Sequence, residues 1–241
     1  MDALIYTVMS GADRTLRAQQ VHANNIANLE TAGFRADMQR SVSQQVQGFG
    51  YEARHATALQ ANTIDQKAGV LTATGRDLDV AVKGQGFLTV GLNGGEAYTR
   101  EGSLEVDDRG ALTVKGRPVL GDGGAIVLPP FEAIQIGEDG TISIRPEGET
   151  AMQQVDRLKL VKPAAADISK NVAGLIVPRS GVPLPADDTV VVVGGQLERS
   201  NVSAIDEMVS TMGLNRDFEV QMRLYKAADE MADAGNRLIR Q

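Results

Sequence analysis

The chain has 241 residues, 42% of them hydrophobic, a formal net charge of −7 and no cysteine. That length allows one or two domains around a modest aliphatic core, since the sequence holds 5 Phe, 4 Tyr and no Trp. The composition excludes a disulfide framework, a zinc–thiolate site and a thiol nucleophile; it offers no basic stripe to track nucleic acid, and no apolar run of ~18 residues to span a membrane.

Residues 3–28 carry helical periodicity. Ile5, Val8, Ala12, Leu16, Gln19, Ala23 and Ile26 recur at steps of three and four and so line one face. Asp13 and Arg17 stand four apart in the favourable acid-first order, and Asp2 precedes the first turn, where free backbone N–H groups await an acceptor. Gly33 is placed to turn the chain out with positive φ. Such a helix is about 39 Å long. The opening residues lack the basic stretch and small-residue cleavage site of a signal peptide, so export is expected to leave the N-terminus intact.

Residues 31–69 are rich in Gln, Ser, Ala and Thr, with Phe34, Val42, Val46, Phe49 and Tyr51 scattered singly. They read as an extended arm ordered by neighbouring molecules, or as a plain linker. From residue 70 strand signals come at roughly ten-residue spacing. They cover residues 70–72, 78–82, 87–90, 104–106, 112–114, 126–128, 134–136, 142–144, 158–161 and 190–193. Asn93-Gly94-Gly95, Asp108-Arg109-Gly110, Gly121-Asp122-Gly123-Gly124 and Glu138-Asp139-Gly140 separate several of them as hairpin turns. An antiparallel sandwich or open barrel is expected over residues 70–200, with residues 164–185 a proline-bearing surface loop holding one brief strand-like piece.

A second, longer helix is expected within residues 201–241. Ser203 is its N-cap, with Asp206 three residues on. Ile205, Met208, Val209 and Met212 form a stripe that continues after Gly213 as Leu214, Phe218, Met222, Tyr225, Ala228, Met231 and Leu238. A helix over residues 203–239 is about 55 Å long. A stripe rich in Met and Ala suits close packing against slightly different neighbours.

Motifs that carry chemistry are scarce. Gly84-Gln85-Gly86 precedes a strand rather than opening a helix, which argues against a phosphate cradle. His22 reads as a half-buried helix-interface residue and His55 as a solvated one, neither at metal-ligand spacing. Asp77 and Asp79 share a strand face, while Asp107-Asp108 and Asp187-Asp188 fall in turns, where Asp caps backbone N–H groups. No catalytic, cofactor or metal residue is assigned.

The fold class read from these elements is α+β: paired terminal helices as a coiled-coil-like stem, an arm, and an all-β middle. Apolar stripes at both chain ends cannot be buried inside a separate β-domain. They meet each other or the same stripes on other copies, which points to an assembly subunit. The rivals are a hydrolase built on the β scaffold, and a soluble adaptor with a dimeric coiled coil.

Four segments resemble the bacterial flagellar rod and hook protein family. They are Asn24-Asn25-Ile26-Ala27-Asn28-Leu29-Glu30-Thr31-Ala32-Gly33-Phe34-Arg35, Thr74-Gly75-Arg76-Asp77-Leu78-Asp79-Val80-Ala81-Val82-Lys83-Gly84-Gln85-Gly86-Phe87, Tyr98-Thr99-Arg100-Glu101-Gly102-Ser103, and Leu197-Glu198-Arg199-Ser200-Asn201-Val202 followed by Glu207-Met208-Val209. The family usually has proline where Ala32 stands. The opening Met1-Asp2-Ala3-Leu4-Ile5-Tyr6-Thr7-Val8-Met9-Ser10-Gly11-Ala12 is similar to the start of proximal-rod members, with the distal-rod members as the alternative. The resemblance implies a structural subunit of the hollow rod, which carries motor torque to the hook. Such subunits leave the cytoplasm through the flagellar type III export apparatus. They then pack with copies of themselves and with other rod proteins in the periplasm, helices inside and the β-domain outside. No nucleic acid, membrane insertion, small-molecule substrate or cofactor is implied. The packing residues it implies are Ile5, Val8, Ala12, Leu16, Ala23, Ile26, Asn28, Gly33, Phe34, Ile205, Met208, Val209, Met212, Leu214, Phe218, Met222, Tyr225 and Leu238.

Overall fold

The computed structural model describes the backbone of residues 2–45, 55–171 and 173–239. It is an α+β protein with one helix at each end, α1 (Asp2–Ala27) and α2 (Ala204–Ile239), and a β-rich middle. Two compact units emerge. One contains Met1–Ala27, Asp37–Asn62 and Ser203–Gln241; the other contains Asn28–Ala36 and Thr63–Val202.

In the first unit, α1 and α2 run side by side in opposite directions. Gln221 bonds Thr15, Asn215 bonds Gln19, and Glu207 reaches His22, so the sequence numbers fall on one helix as they rise on the other. Ser203 caps α2 as its sequence predicts, its Oγ accepting the Asp206 amide at 3.4 Å. Neither helix is long and apolar enough to cross a membrane. The arm is a pair of long strands, Asp37–Gln45 and His55–Ile64, joined in a two-stranded sheet.

The β unit is a set of small antiparallel sheets around two apolar clusters. A five-stranded sheet runs in the order Leu160–Val161, Phe87–Leu92, Gly95–Thr99, Ile176–Pro178, Ile168–Lys170. Three-stranded sheets are built from Phe131–Ile136, Thr141–Pro146 and Gln153–Arg157, and from Glu105–Val106, Leu112–Val114 and Arg117–Pro118. The larger cluster gathers Val80, Val82, Leu88, Val90, Leu104 and Leu112 with Ile126, Ile142, Ile144 and Val192. The smaller one holds Ile64, Phe87, Tyr98, Val161, Ile168 and Ile176. Each apolar side chain removed from water contributes about 1.5–3 kcal/mol, which offsets the cost of ordering so many short strands.

Several segments differ from their sequence reading: strands form at Gly95–Thr99, Gln153–Arg157 and Gln196–Glu198, each recruited by antiparallel pairing to a distant or neighbouring strand, and two further segments change character. The expected surface loop contains a pair of strands, because Ile168 and Ile176 are both buried and draw Ile168–Lys170 and Ile176–Pro178 onto the edge of the five-stranded sheet. Residues 126–128 make an isolated bridge through Val127 rather than a strand: Ile126 is fully buried but its amide turns to the Val119 carbonyl.

Candidate assembly surface and a buried charge network

The face of α1 toward α2 is polar and small. Thr15 and Asn25 are buried, at 1% exposure each, and Val8, Gly11, Ala18 and His22 are half-buried along the same face. Thr15 Oγ1 lies 3.4 Å from Gln221 Oε1 and also donates to the Gly11 carbonyl at 3.0 Å. Gln19 Nε2 donates to Asn215 Oδ1 at 2.7 Å. His22 Nδ1 pairs with Glu207 Oε2, and Glu207 Oε1 accepts from Asn25 Nδ2 at 3.0 Å. Asn25 also locks the arm: its Nδ2 donates to the Asp37 carbonyl and its Oδ1 accepts the Asp37 amide at 2.8 Å. Every hydrogen-bonding atom of the Asn25 side chain therefore has a partner, which is what makes its burial affordable. These polar positions escape a search for apolar periodicity. His22, as a helix-interface residue, and Gln19, as a member of the α1 stripe, were the legible ones.

The residues expected to pack fall on two faces of α2. Leu214 and Phe218 are half-buried, in a row that continues through Gln221 to Ala228 at 3% exposure. Ile205, Met208, Val209 and Met212 lie exposed, together with Val220, Leu224 and Met231. Ile205, Val209, Val220, Leu224 and Met231 follow helical spacing and form a second apolar stripe that stays exposed among the described residues. Met222 and Tyr225 are exposed, Tyr225 standing between Gln221 and Ala228 in the first row. On α1, Val8, Ala12 and Ile26 are half-buried, whereas Leu16, Ala23, Tyr6 and Met9 face solvent. The side chains of Ile5, His55 and Leu238 lie outside the described residues, as do Val46, Phe49 and Tyr51.

The β unit holds a network built from the four motif segments. Gly33 takes φ +65°, and a Cβ there would stand 2.2 Å from the Arg100 carbonyl carbon. Only glycine fits both demands. Phe34 is buried with Lys170 Nζ 3.6 Å above its ring. Asn28 closes the preceding turn by accepting the Thr31 amide. Arg35 and Arg100 are each 2% exposed and flank Glu198, 1% exposed, with Arg35 Nη2 at 2.7 Å and Arg100 Nη1 at 2.9 Å from its two oxygens. Glu198 Oε1 also accepts the Gly69 amide at 2.6 Å. Arg100 donates to the carbonyls of Val82 and Gly84 and lies 5.2 Å from the Phe87 ring centre. Burial brings the Arg100 guanidinium down to about 10; Glu198 opposes that shift and Arg35 adds to it.

Asp77 lies in a turn and does not share a strand face with Asp79, because the chain folds back there with the Asp79 amide on the Arg76 carbonyl. Asp79 is buried beside Arg76 at 3.2 Å, Asp107 caps the Arg109 and Ala111 amides, and the Thr189 hydroxyl and amide hold Asp187 below the usual carboxylate range. Gly84 serves as an acceptor for Arg100, not as a phosphate cradle. Among the described residues no group of His, Asp and Glu is placed to hold a metal ion.

Comparison with known proteins matches three family descriptions to this chain. "Flagella basal body rod protein" covers residues 5–35, "Flagellar hook protein FlgE/F/G D1 domain" residues 81–144, and "Flagellar basal body rod FlgEFG protein C-terminal" residues 193–238. The chain is 38% identical to the flagellar basal-body rod protein FlgF of Escherichia coli (strain K12) over 99% of both chains. It is 36% identical to FlgF of Salmonella typhimurium, again over 99% of both. The flagellar basal-body rod protein FlgG of Bacillus subtilis is 31% identical over 94% of this chain and 95% of its own.

Proposed function

The chain belongs to the flagellar basal-body rod protein family as a FlgF-like structural subunit and not an enzyme, and we propose that it builds the proximal rod by packing α2 on two sides at once. One side of α2 holds α1 through Leu214, Phe218, Gln221 and Ala228. The other, the bare stripe of Ile205, Val209, Val220, Leu224 and Met231, takes helices of other copies and of other rod proteins. That uncovered second stripe is the observation that carries the proposal. A heterologous contact of this kind repeats without closing, as a tube requires.

The two helices are proposed to wind as a short coiled coil, supported by the three-and-four spacing of the half-buried positions on both. Packing residues Ile5, Ala12, Leu16, Ala23, Ile26, Tyr225 and Leu238 are assigned to the same stem, and Met208, Met212 and Met222 to the adaptable margin of the outer stripe. Gly33, Phe34 and Asn28 are assigned to packing as well. Export through the flagellum-specific type III apparatus fits a chain with no cysteine to cross-link in transit. Torque then passes through buried helix contacts, and no bond is made or broken.

A strain lacking this chain tests the proposal directly. Electron microscopy of its basal bodies is expected to show rods arrested before the hook, restored by the wild-type chain. Complete hooks in the deletion strain would remove the chain from the rod.

A further inference from the structure

We propose that Asn28–Ala36 is a separable strap, clasped onto the β unit by the Glu198 oxygen that Arg100 does not hold, and that it closes last. The strap brings little apolar burial of its own: Phe34 and Ala36 are its buried apolar residues. The rest of its attachment is polar and goes to a few places. Gly33 N donates to the Glu198 carbonyl at 2.7 Å, Ala36 N to Asn201 Oδ1 at 2.7 Å, and Asn201 N to the Phe34 carbonyl at 3.3 Å. Lys170 Nζ donates to the Arg35 carbonyl at 3.1 Å. Arg35 itself reaches the Lys67 carbonyl and Glu198 Oε1.

The dependence runs one way. Arg100 keeps Glu198 Oε2, the Val82 and Gly84 carbonyls and the Phe87 ring whether or not the strap is present. Arg35 is a second buried cation beside the first, and Glu198 is the carboxylate that meets both. Without Glu198 in place, docking Arg35 would bring two like charges together out of water, a costly state. The strap therefore cannot close on a chain that has not yet supplied residues 198–201. Because the chain is made from its N-terminus, the strap waits for nearly the whole molecule. Asn201 serves as a second clasp: its Oδ1 takes the strap, while its Nδ2 bonds the Asp65 and Lys67 carbonyls at 3.3 and 3.0 Å.

Hydrogen exchange on the purified full-length chain tests this through two variants. Arg35→Met removes the strap's charge and leaves the Arg100–Glu198 pair whole. The amides of Gly33, Ala36 and Asp65 are expected to exchange at least about tenfold faster than in the wild type, while those of Val80, Thr89 and Val192 keep wild-type protection. Glu198→Gln is expected to release the strap amides too and also to speed exchange in the Val80–Lys83 strand, which Arg100 holds through the Val82 carbonyl. Wild-type protection of the strap in Arg35→Met would overturn the proposal, and so would loss of strap and core protection together. If Glu198→Gln fails to fold, the core depends on that carboxylate as stated, and Arg35→Met alone decides whether the strap is separable.

Discussion

Asn25 and Asp37 are joined by two hydrogen bonds that imitate one rung of a β-ladder: the Asn25 amide donates to the Asp37 carbonyl at 3.0 Å while its oxygen accepts the Asp37 N–H at 2.8 Å. A side chain from α1 thus bonds both backbone groups of the first residue of the arm strand. Asn25→Leu keeps the volume but removes the bonds to both Asp37 groups and to Glu207 Oε1, costing about 1–3 kcal/mol. The variant is expected to lose protection at the Asp37 amide and to abolish swimming. Unchanged exchange at Asp37 would show that other contacts hold the arm.

The two faces of α2 predict three different outcomes on one helix. Phe218→Asp places a carboxylate in the half-buried face and is expected to destabilise the helix pair by at least about 2 kcal/mol and to stop hook formation. Leu224→Asp changes a side chain 54% exposed, so the isolated chain should keep its stability within about 0.5 kcal/mol. In cells it should nonetheless arrest the rod, since the stripe meets its neighbours only in the assembly. Asp217→Ala, on an exposed position between them, should swim. Denaturant unfolding and counts of hooks on isolated basal bodies separate the three; normal hooks in Leu224→Asp would mean the outer stripe is not an interface.

Asn93 and Gly94, at φ 48° and 81°, form the two-residue turn between paired Leu92 and Gly95. A Cβ at Gly94 would meet nothing within 4 Å, so the tip is open. A short polar insertion there is expected to leave motility intact, while the same insertion after Asn25 should abolish it. Loss of swimming from the hairpin insertion, at normal protein level, would place that tip inside a contact.

Tyr98 gives the β unit a pH dependence with a defined sign. Its ring is fully buried, its hydroxyl accepts the Leu184 amide at 2.8 Å, and burial raises its pKa above the ordinary 10.0, with Glu96 adding to the rise. The folded state favours the neutral phenol. Above pH 10 the unfolded chain ionises at this residue while the folded chain does not, so stability falls as pH climbs from 10.0 toward the folded value and is unaffected below. Tyr98→Phe loses the bond from Leu184 and should be about 1 kcal/mol less stable near neutral pH. That gap is expected to narrow above pH 10 in urea unfolding; a constant gap would contradict the buried phenol.

The order of the molecule was legible along the chain. Helical spacing marked both ends, Ser203 its cap, Gly33 its left-handed turn, and the Asn-Gly and Asp-x-Gly pairs several hairpins, because each of these depends on residues close in sequence. What only tertiary structure decided depends on partners far away. Thr15, Asn25 and Glu207 occupy the helix seam although none is apolar, since a polar side chain can be buried once distant groups satisfy it. The strands Ile168–Lys170 and Ile176–Pro178 became visible only when a sheet edge received them. Arg35, Arg100 and Glu198 stand in three separate motifs, and none of them has a role that its neighbours in sequence reveal. One buried carboxylate holding two guanidiniums is stable only where the fold brings all three together, and no local pattern in the sequence encodes that meeting.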